Sequence, residues 1–359
     1  MPFDLLLVGA GHAHLGVLRR WTRGKRPAGR IALLSEGPWA WYSGMLPGLL
    51  GGRYRPEQCR VELAPLCRAA GVALVIDQVA ALDAAALRLG LSAGTALEAA
   101  WLSLNVGARV LAPPSQDLGL QLLTVKPFDA FVAAWPAWQA DPQPLAIVGG
   151  GAAGVELALA LAGRVPALAL FAGGPLLAGL APGLRLRALS QLRQRGVQVR
   201  EDCPIQRVVE DQLQSGGETV WRGPRLLLAS GASPWPWLHE SGLACDDAGF
   251  LTIAATLQCQ SHPRVFAVGD CASLPGAVRN GVYAVRQGPV LADNLAAALS
   301  GQALRRYRPQ PRSLALLASG DGGALMAWGR WSGGGRLYGW WKERLDLAFI
   351  QAHQGPNGA

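Results

Sequence analysis

The chain repeats itself, and the repeat restricts the fold more than any other feature. Residues 5–11, Leu-Leu-Leu-Val-Gly-Ala-Gly, return as Leu-Ala-Ile-Val-Gly-Gly-Gly at 145–151, an offset of 145 − 5 = 140. Gly71-Val72-Ala73-Leu74 is echoed by Gly196-Val197-Gln198-Val199, 196 − 71 = 125 residues on. Leu104-Asn105-Val106-Gly107-Ala108 is echoed by Leu228-Ala229-Ser230-Gly231-Ala232, at 228 − 104 = 124. Short apolar runs that lead through glycines into a helical pattern fit the central strands of a parallel sheet. Three landmarks in one order predict an α/β chain: two Rossmann-like dinucleotide-binding units and a short C-terminal segment. The second unit carries a hairpin-like excursion over 205–228, with Ser215-Gly216-Gly217 as its turn.

Prolines mark the boundaries. Ala112-Pro113-Pro114-Ser115 and Asp141-Pro142-Gln143-Pro144 bracket a connector, because such pairs exclude continuous helix or sheet. The expected division is 1–112, a connector at 113–144, a second unit at 145–244, a return to the first unit at 245–308, and a tail at 309–359. Within the connector, Pro127 to Gln139 reads as a short helix that Pro136 should bend or end. Arg264 to Asp270 reads as one more buried strand, followed by a helix near Asn280–Leu299.

Composition narrows the function. With 50% hydrophobic and 16% charged residues, the 359-residue chain is neither a disordered tail nor a coiled coil. Its net charge of +9 is not gathered into blocks, which argues against nucleic acid and leaves dinucleotide phosphates or an anionic membrane surface. Six scattered cysteines without a CxxC, and no secretion signal at the start, point to a reduced, cytoplasmic setting. Residues 145–163 are apolar apart from Glu156, yet Gly149-Gly150-Gly151 makes them a strand turning into a helix, not a membrane span.

The second glycine loop, Gly149-Gly150-Gly151-Ala152-Ala153-Gly154, stands between a strand and a strongly helical run. Gly149 allows the turn, Gly151 lets a pyrophosphate approach the backbone, and Gly154 permits close helix–strand packing. The first loop, Gly9-Ala10-Gly11-His12-Ala13-His14, has His14 where the third glycine belongs. Either the helix start tolerates a larger side chain there or the helix sits further from the sheet. Glu36, 36 − 14 = 22 residues beyond His14, ends the next strand where a carboxylate accepts adenosine ribose hydroxyls. His12 and His14, at i and i+2, do not share a helix face and lack a carboxylate–cysteine set, so they read as loop residues near phosphates. In the second copy the matching strand ends in Gly173-Gly174 with no acid, which leaves NADH against NADPH open; Arg185 and Arg187 are candidates for a 2′-phosphate.

These motifs together resemble the two-dinucleotide-binding flavoproteins of the pyridine nucleotide-disulfide oxidoreductase superfamily. The resemblance implies that FAD occupies the first loop (Gly9, Gly11, His12, Ala13, His14, Glu36) and NAD(P)H the second (Gly149, Gly151, Gly154). Val268-Gly269-Asp270 is similar to the family's Gly-Asp that binds the FAD ribitol, and Gly107 and Gly231 to its second glycine signatures. The redox cysteine pair of the disulfide reductases is missing from Trp39–Gly48, so a dithiol mechanism is not expected. That cysteine-free loop and Val285–Ala292 resemble type II NADH dehydrogenases and sulfide:quinone enzymes. Gly-His-Ala-His, Tyr42-Ser43-Gly44-Met45-Leu46-Pro47-Gly48, Val125-Lys126-Pro127 and Trp341-Lys342-Glu343-Arg344-Leu345-Asp346 are similar to a bacterial subgroup often fused ahead of selenophosphate synthetase.

The expected activity is therefore transfer of electrons from NAD(P)H through FAD to an acceptor, with a quinone as the first candidate. Sulfur or selenium compounds, in partnership with selenophosphate synthetase, are the alternative, and a flavin-bound sensor with little turnover is a third. Glu156 is expected near the nicotinamide, or as charge compensation at its helix start. Gln287 is expected at the flavin's pyrimidine edge or an acceptor pocket, and Lys126 near the flavin through the connector. Leu337, Trp340, Trp341, Leu345, Leu347, Ala348, Phe349 and Ile350, interspersed with Lys342 and Arg344, form an amphipathic segment. Such a segment either lies on the inner membrane surface or caps the flavin domain or a dimer interface.

Overall fold

The computed structural model describes residues 2–354. Two parallel sheets carry the two copies. In the first, the strand order is Ala73–Ile76, Ile31–Ser35, Phe3–Val8 and Ala96–Leu104, with Val265–Ala267 alongside the last. The second sheet runs Gln198–Arg200, Leu168–Phe171, Leu145–Val148, Arg225–Leu228 and Gln121–Thr124. The repeated runs thus become the equivalent central strands. Leu5, Leu6 and Leu7 are fully buried, as an apolar run without alternation requires.

Each copy carries its antiparallel excursion. In the first, Val79–Asp83 and Arg88–Leu91 pair onto the opening half of the long strand Ala96–Leu104. In the second, Arg207–Val209, Gln212–Ser215 and Glu218–Arg222 form a meander. Gly216 and Gly217, with φ of +61° and +85°, make its turn at the expected place.

The connector does more than link. Gln121–Thr124 is an edge strand of the second sheet, and Ser115–Gln116 pairs with Val208 and Val209. The following helix, Phe128–Ala140, runs through Pro136 and does not end there, which removes one of the two expected outcomes. Burial of Phe131, Trp135 and Trp138 along one face offsets the backbone hydrogen bond that proline forfeits.

The C-terminal segment is a small domain. Leu314–Ala318, Ala324–Trp328 and Trp331–Gly335 form an antiparallel sheet, and the helix Arg336–His353 follows directly. That helix has an inverted arrangement: Leu337, Trp340, Trp341 and Leu345 point outward, whereas Asp346, Ile350 and His353 are buried. No helix among the described residues is long and apolar enough to cross a membrane.

Candidate active site

The first loop is built around Asn105. Its Oδ1 accepts hydrogen bonds from the backbone N–H groups of Ala13 (3.1 Å) and His14 (3.2 Å), and its Nδ2 donates to Val268 O (3.0 Å). Gly9 has φ of +86°, and a Cβ there would lie 2.6 Å from Asn105 O. At Gly11 a Cβ would collide with the Asn105 side chain. Asn105 sits within a strand echo, and its only sequence signal is the departure from Ala229 in the second copy.

His14 resolves the irregular third position. Its Nδ1 lies 2.6 Å from Gly9 O and its Nε2 lies 2.8 Å from Ser103 Oγ, with the ring fully buried. Burial pushes its pKa down to about 4. In the second loop a Cβ on Gly154 would strike the Gly149 carbonyl oxygen, so glycine is required there. In the first loop the corresponding carbonyl receives an imidazole nitrogen. The His14 side chain thus belongs to the packing between helix and sheet and does not face a ligand.

His12 turns the other way. Its ring lies 5.3 Å from that of Tyr42 and 5.2 Å from that of Phe349. Burial lowers its pKa to about 4, opposed by the charge of Asp270 and assisted by Lys126 and His353. The imidazole is neutral at pH 7 and feels both charges of the Lys126–Asp270 pair. Among the described residues, no group of histidine, cysteine and carboxylate side chains could hold a metal ion.

The Gly-Asp turn closes the same site. Gly269 has φ of +72°, and Lys126 Nζ reaches Asp270 Oδ2 at 2.9 Å. Gln287 is buried, and its Oε1 accepts from Gly269 N at 2.8 Å. Its carbonyl therefore supports the turn from behind. Beside it, a small cavity of about 10 Å³ is lined by Gly269, Asn280, Tyr283 and Gln287 among others. Gly107, with φ of +67°, has open space where its side chain would be, as has Gly151 in the second loop. Glu36 follows the strand Ile31–Ser35 with an exposed side chain; crowding by protein atoms and the Asp129 charge raise its pKa.

Glu156 lies where the second unit meets the C-terminal domain. Its carboxylate accepts from Ala318 N at 2.6 Å and faces Lys342 and Asp346. Burial raises its pKa from 4.5 to about 7. Ala318, Lys342 and Asp346 lie 318 − 156 = 162 residues and more along the chain, so nothing in the local sequence signals this environment. Arg185 is not free for a 2′-phosphate: it grips Glu201 with two hydrogen bonds of 2.9 and 2.7 Å. Arg187 is exposed. Cys59 and Cys67 are buried, and burial pushes both thiols up to about 12.

The residues present fit two dinucleotides. Each unit offers a strand, a glycine turn without room for side chains, and a helix start; the second has open space at Gly151 in front of its helix, and the first has open space at Gly107 and adds Glu36 and Asp270. Fold and site together define a two-dinucleotide α/β protein of the oxidoreductase type. The chain belongs to the pyridine nucleotide-disulphide oxidoreductase family, whose model matches residues 3–288. That family binds FAD and NAD(P)H.

Among curated relatives, the chain is 30% identical to Fe-regulated protein 8 of Mycosarcoma maydis over 48% of its own length and 46% of the relative's. It is 28% identical to an NADH dehydrogenase-like protein of Mycobacterium tuberculosis, over 60% of this chain and 59% of that one. The matches thus span about half the length of these relatives. Among solved structures, the sulfide:quinone oxidoreductase of Aquifex aeolicus superposes with a TM-score of 0.78 at 16% identity, covering 98% of this chain and 92% of that one. A water-forming NADH oxidase from Lactobacillus brevis gives 0.76 at 17% identity, covering 90% and 74%. At these identities the likeness is one of fold.

Proposed function

We propose that the protein is an FAD-dependent NAD(P)H oxidoreductase that passes electrons to a quinone at a membrane surface. One observation carries the quinone reading. A single helix, Arg336–His353, turns Leu337, Trp340, Trp341 and Leu345 to the outside while its Phe349 reaches the ring of His12 beside the first glycine loop. Trp331 on the preceding strand, 77% exposed, extends the outer face, and the exposed Arg330, Arg336 and Arg344 border it. Indole rings, leucines and arginines of this kind suit the headgroup region of an anionic bilayer.

FAD, when bound, would supply hydride acceptance and onward electron transfer. Gly9, Gly11 and the backbone at the start of the His12–Arg20 helix would hold its pyrophosphate. Glu36 would take the adenosine ribose, and Asp270 the ribitol. Lys126, paired with Asp270, would place a positive charge beside the ring system, and Gln287 would keep the Gly-Asp turn in shape. Gly149, Gly151 and Gly154 would seat the nicotinamide dinucleotide, with Glu156 as the ionisable group at the junction of the second unit and the tail. The TM-scored likeness to a sulfide:quinone oxidoreductase and, at 0.76, to an NAD-dependent persulfide reductase keeps a sulfur or selenium compound, with selenophosphate synthetase as partner, as the second reading.

The test is anaerobic. NADH or NADPH is added to the flavin-loaded protein, and oxidised-flavin absorbance is followed before and after a quinone in anionic vesicles is supplied. Bleaching followed by recovery supports the reading. Bleaching that only a polysulfide or selenite reverses favours the second reading, and a flavin that stays oxidised with both nucleotides refutes both.

A further inference from the structure

Two sequence motifs lie outside the dinucleotide loops, and they meet. Lys342 Nζ donates to Gly44 O at 2.7 Å and to Asp346 Oδ2 at 2.8 Å. Arg53 holds the adjacent Glu343 through hydrogen bonds of 3.2 and 2.7 Å. The Tyr42 hydroxyl faces the Asp346 carboxylate, and Glu156 faces Lys342 from the second unit. Tyr42, Asp346, Lys342 and Glu156 therefore form one connected, largely buried row.

At one end of the row, the Tyr42 ring stacks on Phe349 at 4.4 Å and lies 5.3 Å from His12, which feels the charges of Asp270 and Lys126. Tyr42 is thus the boundary between the row and the cofactor end of the site. Charge within the row does not balance: one ammonium faces two carboxylates, while the neighbouring Glu343 is already paired with Arg53. Tyr54 and Cys59 also feel the Asp346 charge and are themselves neutral. A proton held by the carboxylates offsets the surplus, in keeping with burial raising both Glu156 and Asp346. Lysine identity points the same way. Of 33 basic residues only Lys25, Lys126 and Lys342 are lysine, and two of those three lie in this site. A compact ammonium exchanges protons where a guanidinium does not.

We propose that Tyr42, backed by Asp346, Lys342 and Glu156, hands the acceptor the second of its two protons. This rests on the quinone reading. A hydride equivalent from NAD(P)H carries two electrons and one proton, whereas a quinone becoming a quinol takes two electrons and two protons. The remaining proton leaves the Tyr42 O–H as the quinol O–H forms. The phenolate is reprotonated by the carboxylates behind it, and these recover a proton from solvent.

The experiment compares two acceptors on the flavin-loaded enzyme: a short-chain quinone, which needs protons, and ferricyanide, which takes electrons alone. In Tyr42→Phe the quinone rate falls by about 100-fold while flavin bleaching by NAD(P)H and ferricyanide reduction stay within about twofold, the scale of a lost general acid. Asp346→Asn gives the same split, and Glu156→Gln flattens the pH profile near neutrality. An infrared difference spectrum recorded on flavin reduction reports independently, because its protonated-carboxyl band is lost or shifted in Asp346→Asn or Glu156→Gln. Equal losses with both acceptors, or no loss with quinone, overturn the relay alone. Wild-type protein that bleaches and reduces ferricyanide but never quinone overturns the quinone reading and the relay with it.

Discussion

Asn105 and Gly269 interlock: a Cβ on Gly269 would lie 2.6 Å from Asn105 Nδ2, so the turn before Asp270 closes directly on the side chain that caps the first glycine-loop helix. One amide thereby aligns two parts of a site separated by 269 − 105 = 164 residues. Asn105→Ala leaves two buried N–H groups and the Val268 carbonyl without this partner. The expected destabilisation is about 3 kcal/mol in denaturant unfolding, with loss of bound flavin, because each orphaned buried group costs roughly 1–3 kcal/mol. Asn105→Asp, which keeps the acceptor and loses the donor, should fall between the two.

Gly154→Ala separates the loops. Its Cβ would strike the Gly149 carbonyl oxygen, so the helix must move off the second loop while the first is untouched. The purified variant should retain flavin yet show bleaching by NAD(P)H slowed on the order of 100-fold, as misplacement of a bound reactant by about an ångström produces. Loss of flavin instead would mean that the two units are coupled through the sheets.

Glu156 makes stability pH-dependent with a definite sign. Its folded pKa, about 7, lies above the ordinary 4.5, so the folded protein holds the extra proton between these values. Stability from this group is present at low pH and falls as pH rises from about 4.5 through 7, then levels off. The shift of 7 − 4.5 = 2.5 units corresponds to at most about 3 kcal/mol, at 1.36 kcal/mol per unit. Glu156→Gln should unfold at higher denaturant than wild type at pH 8 and at a similar concentration at pH 4.5.

Arg185→Ala should leave the NADPH-to-NADH ratio of flavin bleaching nearly unchanged, since its guanidinium is held by Glu201. Arg187→Ala is the informative partner. A fall in NADPH preference confined to Arg187→Ala would assign the 2′-phosphate contact to that side chain.

The outward face of the last helix is testable without turnover. Leu337→Glu combined with Trp340→Glu removes apolar anchors that are 72% and 54% exposed, so the fold should survive while sedimentation with anionic vesicles is lost. Unchanged sedimentation would show that this face covers something other than lipid.

The sequence by itself determined the two strand–glycine–helix units, their order, the second-unit excursion and the Gly-Asp turn. All of these are local: neighbouring residues set the strand, the positive-φ turn and the helix start. Tertiary structure decided what faces what. His12 and His14 look alike in sequence, yet one ring packs inside between Gly9 and Ser103 and the other lies against Tyr42 and Phe349. Nothing around Gln287 in the sequence signals its support of Gly269, 18 residues away. The inverted tail helix, and the row from Tyr42 to Glu156, arise from contacts such as Lys342 to Gly44, 342 − 44 = 298 residues apart. Burial and pairing at that separation exist only after the chain has closed on itself, and burial is what shifts Glu156 and leaves Leu337 and Trp340 outside.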